Sequence, residues 1–348
     1  MEGRVSRLAP RTVLGLGALL LLAAFLWGSA RGAFTISPGQ LLDVLADLFA
    51  SQAEPSQERL VFLNIRLPRL MLGIAAGMGL GVAGALMQGL FRNPLADPGL
   101  VGISSGAALA AGATIVLGAS LFPDLPRALG SWTLVLAAFA GGLLVTFGVY
   151  MLAQGPGGTN VGLMLLAGVA VNALAGAGLG FLNFLATDEQ LRNIQFWLLG
   201  SLGGARWSAV ILVSVLVAVA VAIGWSRASA LNAIALGEAQ ASLLGVPVER
   251  VKRQAVLATA LAVGAVTATT GMIGFIGLIA PHWVRLVAGP DHRIVIPASG
   301  LLGGALVLAA DSVARTMLAP AELPLGVLTA VIGVPMFLGL LRHFKGRV

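Results

Sequence analysis

The chain has 348 residues, 58% of them hydrophobic and only 10% charged, with a formal net charge of +7 and no cysteine. A soluble domain carries about 25% charged residues, so lipid solvates most of this surface. Disulfides, thiolate metal sites and cysteine nucleophiles are excluded, and the basic residues are scattered over short loops, which argues for membrane topology and against nucleic acid.

A membrane-crossing helix needs about 20 apolar residues. On that measure the sequence predicts an all-α polytopic membrane protein of about ten transmembrane helices, forming one domain over 1–348. The first apolar run, Val13–Trp27, follows Arg4, Arg7 and Arg11 and precedes Gly28-Ser29-Ala30. It reads as a signal peptide or as an uncleaved span over 12–29, and the span is the expectation. A polar stretch holding Asp43 and Asp47 then predicts a short amphipathic surface helix over Ile36–Phe49.

The second span, 70–91, is headed by Arg66-Leu67-Pro68-Arg69, where Pro68 is expected to hold the chain extended between the arginines. Within it Gly79–Gly84 matches G-x-G-x-x-G, but no strand precedes it, and Gly73, Gly77 and Gly81 form a G-x-x-x-G ladder suited to helix packing. Asn93-Pro94-Leu95-Ala96-Asp97-Pro98 is a tight connection in which Asn93 and Asp97 are placed to bond freed backbone groups. Spans at 99–119, 131–153 and 161–186 follow. Gly102-Ile103-Ser104-Ser105-Gly106 matches a nucleophile elbow, but that motif needs a strand–turn–helix with His and acid partners, so no catalytic residue is assigned.

A second surface helix is expected in Thr187–Arg206, then a span over 207–225. In the polar loop 227–253, Gly237 and Gly245 bracket a helix of about two turns with small residues on its face. The last spans are 254–271, 272–288, 294–312 and 324–342. His282, at the end of Gly274–His282, is expected to be hydrogen-bonded or solvated rather than reactive.

Ten spans put both termini on one side. With the termini in the cytoplasm, 13 Lys and Arg fall inside and 8 outside, while the acids divide 5 and 9, in keeping with the positive-inside rule. Arg59, Arg66, Arg69 and Arg315 stand out as basic residues on the outer side. The blocks 64–186 and 250–342 each open on basic residues and hold four spans of opposite sense, which suggests an inverted repeat.

The only lysines, Lys252 and Lys345, lie outside any P-loop pattern, so the chain has no ATP site of that kind. Ion coupling would place acids or histidines in mid-span. Only Asp311 comes close, and Arg315 four residues on is placed to satisfy it. An ion-driven secondary transporter is the alternative of another class.

The blocks Arg66–Arg69, Phe91–Pro98, Gly274–His282 and Ala321-Glu322-Leu323-Pro324-Leu325-Gly326, in this order and spacing, resemble the permease subunits of the ABC importers for ferric siderophores, haem and vitamin B12 (FecCD-type). The resemblance covers nearly the whole chain. Thr187–Ala205, Ala230–Arg253 and Ala319–Gly326 look most like the haem-uptake branch, with ferric siderophore and vitamin B12 as alternative cargoes.

It implies a homodimer in the bacterial inner membrane, two ATPase subunits that bind ATP and Mg, and a periplasmic binding protein. Arg66, Arg69 and Arg315 match positions that seat acidic residues of that binding protein; headgroup anchoring is the plainer reading. Leu236, Gly237, Glu238, Ala241, Leu244 and Gly245 match the segment that couples to the ATPase; a solvated loop is the plainer reading. The cytoplasmic gate falls around Thr159 and Asn160, with Gly155–Gly158 as a hinge. No resident metal or cofactor is implied in this chain. Of the usual haem-iron ligands the chain has a single tyrosine, Tyr150, and no histidine in mid-span; Met78, Met87, Met164 and Met272 are candidates to face a cavity, with packing the plainer reading, and a weakly binding, mostly apolar cavity is expected.

Overall fold

The computed structural model describes residues 8–31, 39–40, 56–121, 124, 128–318 and 321–345. Each of the ten expected segments is helical: α1 (Pro10–Ala30), α2 (Gln57–Leu90), α3 (Ile103–Leu121), α4 (Trp132–Leu152), α5 (Val161–Leu185), α7 (Trp207–Ser226), α10 (Val248–Thr270), α11 (Ile276–Ala288), α12 (His292–Thr316) and α13 (Leu325–Lys345). Shorter helices among the described residues include α6 (Asp188–Leu199), α8 (Ala228–Ala235) and α9 (Glu238–Leu243). A two-residue hairpin, β1 (Gln154–Gly155) with β2 (Gly158–Thr159), joins α4 to α5. The surface helix expected after residue 186 is α6, opened by a capping box between Thr187 and Gln190. The amphipathic segment expected around Asp43 and Asp47 lies outside the described residues.

Six of these helices are by themselves long and apolar enough to cross a membrane. The others are shorter, or carry the small and hydroxylic residues of a buried helix. Helix α10 is one of these, with Ala255, Ala258, Thr259, Ala262, Ala265 and Thr267 all buried in the bundle. Helix α11 has 13 residues, a rise of about 20 Å, which is short of a hydrocarbon core. It starts inside the bundle, where a Cβ on Gly84 of α2 would meet the Gly277 backbone.

Helices α2, α10 and α12 form the centre. The G-x-x-x-G ladder of α2 lies on α12: a side chain on Gly77 would run into the Gly303 carbonyl, and one on Gly81 into that of Ser299. The first helix of each sequence block packs on the third helix of the other, α2 on α12 and α10 on α4, as two related halves would.

Helix α2 differs from expectation at its start. The chain around Pro68 is helical, not extended: Leu67 has φ −63° and ψ −45°, and a π-turn over Phe62–Arg66 precedes it. That wider turn carries the helix past a proline, which has no N–H to donate. Arg69 lies 21 residues before Leu90, about 30 Å of helix, so it sits level with one boundary of a bilayer core.

Candidate functional site

Two polar clusters lie at opposite ends of the bundle. The distal end is where α1 finishes and α2 begins. Here Arg66, Arg69 and Arg315 converge, although about 250 residues separate them in sequence. They turn inward. Arg69 donates Nη2 to Asp311 Oδ1 at 2.8 Å and Nε to the same oxygen at 3.1 Å. Its outer edge forks onto Glu322, Nη1 to Oε1 at 2.8 Å and Nη2 to Oε2 at 2.9 Å. Arg315 Nε lies 3.1 Å from Asp311 Oδ2, one helical turn away on α12, without the alignment of a hydrogen bond.

The C-terminal carbonyls of α1 complete the cluster. Arg66 donates to Ser29 O at 2.5 Å, and Arg315 reaches Arg31 O at 3.2 Å and Gly28 O at 3.4 Å. A helix C-terminus leaves such carbonyls unpaired at its negative pole, so cations suit it. Among the described residues, Asp311 and Glu322 are the carboxylates paired with Arg69 and Arg315.

Asp311 is 1% exposed and Arg66 4%, whereas the Glu322 side chain is 43% exposed. Hydrogen bonds from Arg69 hold the Glu322 carboxyl below the usual glutamate range. Its contribution is therefore complete above the unfolded value of about 4.3 and is lost as pH falls through the lower folded value. In thermal melts, the difference between the parent and Glu322→Gln should be constant from about pH 8 to 5.5 and shrink below about pH 4, starting from no more than about 1 kcal/mol.

The proximal end holds the expected coupling and gate residues. Gly237 (φ +124°) and Gly245 (φ +79°) do bracket a short helix, α9. Of its small residues Ala239 and Ser242 are exposed, whereas Ala241 is fully buried. Leu236, Leu243 and Leu244 project beside them, and Leu243 is 89% exposed. Asn160 caps α5, accepting from Leu163 N at 3.1 Å, and is exposed. Thr159 is buried, its hydroxyl donating to Glu249 Oε2 at 2.6 Å and accepting from Gln154 Nε2 at 2.9 Å.

Glu238 and Thr159 meet on one side chain that the sequence reading passed over, Lys252. It donates to Glu238 Oε2 at 2.7 Å, to Thr159 O at 2.7 Å and to Glu249 Oε1 at 3.0 Å. The available clue was a lysine in an otherwise lysine-poor chain, three residues after Glu249 and so on its helical face.

Between the clusters lies a cavity of about 250 Å³, lined by Asp97, Ser104, Ser105, Asn172 and Met272 among others. Asp97 accepts from Gly99 N at 2.7 Å and Asn93 from Leu95 N at 2.9 Å, the local bonds expected of that connection. Ser105 donates to Asn172 Oδ1 at 2.5 Å from within a helix, which is not the geometry of a nucleophile elbow. Met272 lines this cavity and Met78 a second one between α2 and α7, of about 490 Å³. Met87 and Met164 are packed in the core.

The family model of the FecCD transport family matches residues 20–343. A hemin transport system permease protein of Yersinia pestis is 42% identical over 98% of this chain and 97% of its own length. A cobalamin import system permease of Halobacterium salinarum is 43% identical over 84% of this chain and 76% of its own. Among solved structures, the inward-facing form of an ABC transporter assigned to the metal-chelate type superimposes with a TM-score of 0.83 at 28% identity, covering 96% of this chain and 99% of that one.

Proposed function

The chain belongs to the FecCD transport family, and from that premise we propose that it is the membrane subunit of an ATP-driven importer that carries haem into the cytoplasm. The observation that carries the cargo is the end-to-end match to the hemin permease, 42% over 98% of the chain. A ferric siderophore or vitamin B12 is the alternative.

The chain itself performs no hydrolysis in this reading. A separate ATPase pair docks on α8 and α9, where Leu236, Leu243 and Leu244 stand exposed beside Glu238. Bare leucines at the bilayer edge lose water on docking, which favours association. At the distal end a periplasmic binding protein seats its acidic residues near Arg66, Arg69 and Arg315. Glu322 is the exposed carboxylate of that cluster, so it is the group an incoming acid displaces.

A second copy completes the pathway. Helix α5 buries little of itself within the protomer, and Gly176 and Gly180 have open space beside them. Lipid tails gain nothing from glycine, whereas a neighbouring helix uses it for close approach. Both termini lie in the cytoplasm and the membrane is the bacterial inner one.

The test is reconstitution with the cognate ATPase and binding protein in proteoliposomes. Uptake of haem, and not of a ferric siderophore or cobalamin, should appear only with ATP and both partners. Uptake of another chelate instead overturns the cargo, and uptake with no ATPase present overturns the importer reading in favour of ion coupling.

A further inference from the structure

The network around Lys252 has a property that neither docking nor gating by itself requires. Its ammonium is buried, 2% exposed at the side chain, and it has three protons to donate. All three are used, each on a different element: Glu238 at the start of α9, Glu249 on the first turn of α10, and the carbonyl of Thr159 at the end of β2. Glu249 closes the loop from the other side. Its second oxygen accepts from both the Thr159 N–H, at 3.0 Å, and the Thr159 hydroxyl, at 2.6 Å. The backbone of Thr159 is thus held at both its donor and its acceptor by opposite charges.

A glycine makes this approach possible, since a Cβ at Gly158 would meet the Glu249 carboxylate. Packing alone gives no reason for a cation here. Burying an ammonium carries a desolvation cost that an apolar side chain of the same length avoids. With no proton spare, a shift of Glu238 must either drag the ammonium or break a charge-assisted bond.

We propose that Lys252 is the joint through which movement of the coupling helix α9 reaches the gate hairpin at Thr159. This rests on the importer reading above. Lys252 is a positioning residue, touching neither cargo nor nucleotide. In the resting arrangement it holds the hairpin against α10. When the ATPase pair closes and displaces α9, Glu238 pulls on Lys252, and Lys252 moves the Thr159 carbonyl with it. The Glu249 clamp keeps the rest of the hairpin in step.

The test uses the full complex, with the permease, ATPase and binding protein together. Because the chain has no cysteine, Gly157→Cys at the exposed hairpin tip, where a side chain meets nothing, takes a single spin label per protomer. Three quantities are read: label mobility with and without ATP, ATP hydrolysis, and uptake per ATP. The parent label should respond to ATP. In Lys252→Met, which keeps the stem and removes the charge, the complex should still assemble and hydrolyse ATP. Its label response should vanish and uptake per ATP should fall by about tenfold, within the usual range of site-to-site coupling.

Should Lys252→Met fail to assemble, Glu249→Ala decides: it removes the bonds from the N–H and hydroxyl of Thr159 together with the one from Lys252 to Glu249, and it too should lose the label response. A full label response with unchanged uptake per ATP, in whichever of the two variants assembles, overturns the joint. If the parent responds to ATP but takes up a chelate other than haem, only the cargo reading fails and the joint is judged on the label. If the parent takes up cargo with ATP but its label does not respond, the joint fails and the importer reading stands; if uptake needs no ATPase, the importer reading fails and the joint with it.

Discussion

Replacing Asp311 by alanine should destabilise the folded protein by about 3–5 kcal/mol, the cost of stranding buried charges without their partner. Asp311 is 1% exposed, and its carboxylate is shared by Arg69, which reaches both oxygens, and Arg315, 3.1 Å from Oδ2. Without it, the carboxylate left on Arg69 among the described residues is Glu322, which reaches only its outer edge. Among the described residues, Arg315 would keep the carbonyls of Gly28 and Arg31. Thermal melting of the detergent-purified protein measures the loss. Glu322→Gln is the control, and its effect should stay within about 1 kcal/mol because that carboxylate is partly solvated. An Asp311→Ala protein that melts with the parent would mean that water, not Asp311, compensates these arginines.

The other large effect is expected at Gly77. A Cβ there lands on the Gly303 carbonyl, and behind it lies the Cα of Gly304, so both obstacles are backbone. No side-chain rotation relieves that overlap. Gly77→Leu must push α2 and α12 apart along the most extensive helix contact in the bundle. Overpacking a core costs about 1–3 kcal/mol when side chains can shift, and more when they cannot. The expected result is little monodisperse protein after purification. Gly15→Ala is the matched control: it lies in a helix of the same bundle with nothing beside it, and alanine improves helix propensity by about 1 kcal/mol. It should purify as well as the parent. Equal yields from both variants would show that α2 and α12 approach less closely than the structure has them.

Different parts of this molecule were legible in the sequence to different degrees. The spans could be read because lipid solvation and intrahelical hydrogen bonding are local demands, met or failed within about 20 residues. Helix α5 (Val161–Leu185) agrees with the expected 161–186 nearly to the residue. Helix α2 starts well before the expected 70, because a π-turn carries it through Pro68 and polar residues can continue a helix beyond the membrane. Its G-x-x-x-G ladder announced a close helix contact, but Gly303 as the partner came only from the fold. Around α9, the bracketing glycines were visible, while the inward turn of Ala241 was not, since which face of a two-turn helix is buried depends on what lies beneath it.

The sequence by itself determined the class of protein, the number and order of its spans, and the absence of a P-loop. It also marked Arg66, Arg69, Arg315, Glu238 and Thr159 as residues to watch. Only the tertiary structure decided how they are used. It set Asp311 and Glu322 on Arg69 from 242 and 253 residues away, and brought Glu238 and Thr159 together on Lys252. The physical reason is one of range. Hydrophobic periodicity and backbone hydrogen bonding act between near neighbours in the chain, whereas an ion pair depends on a few ångströms of separation in space, which the packing of the whole bundle sets.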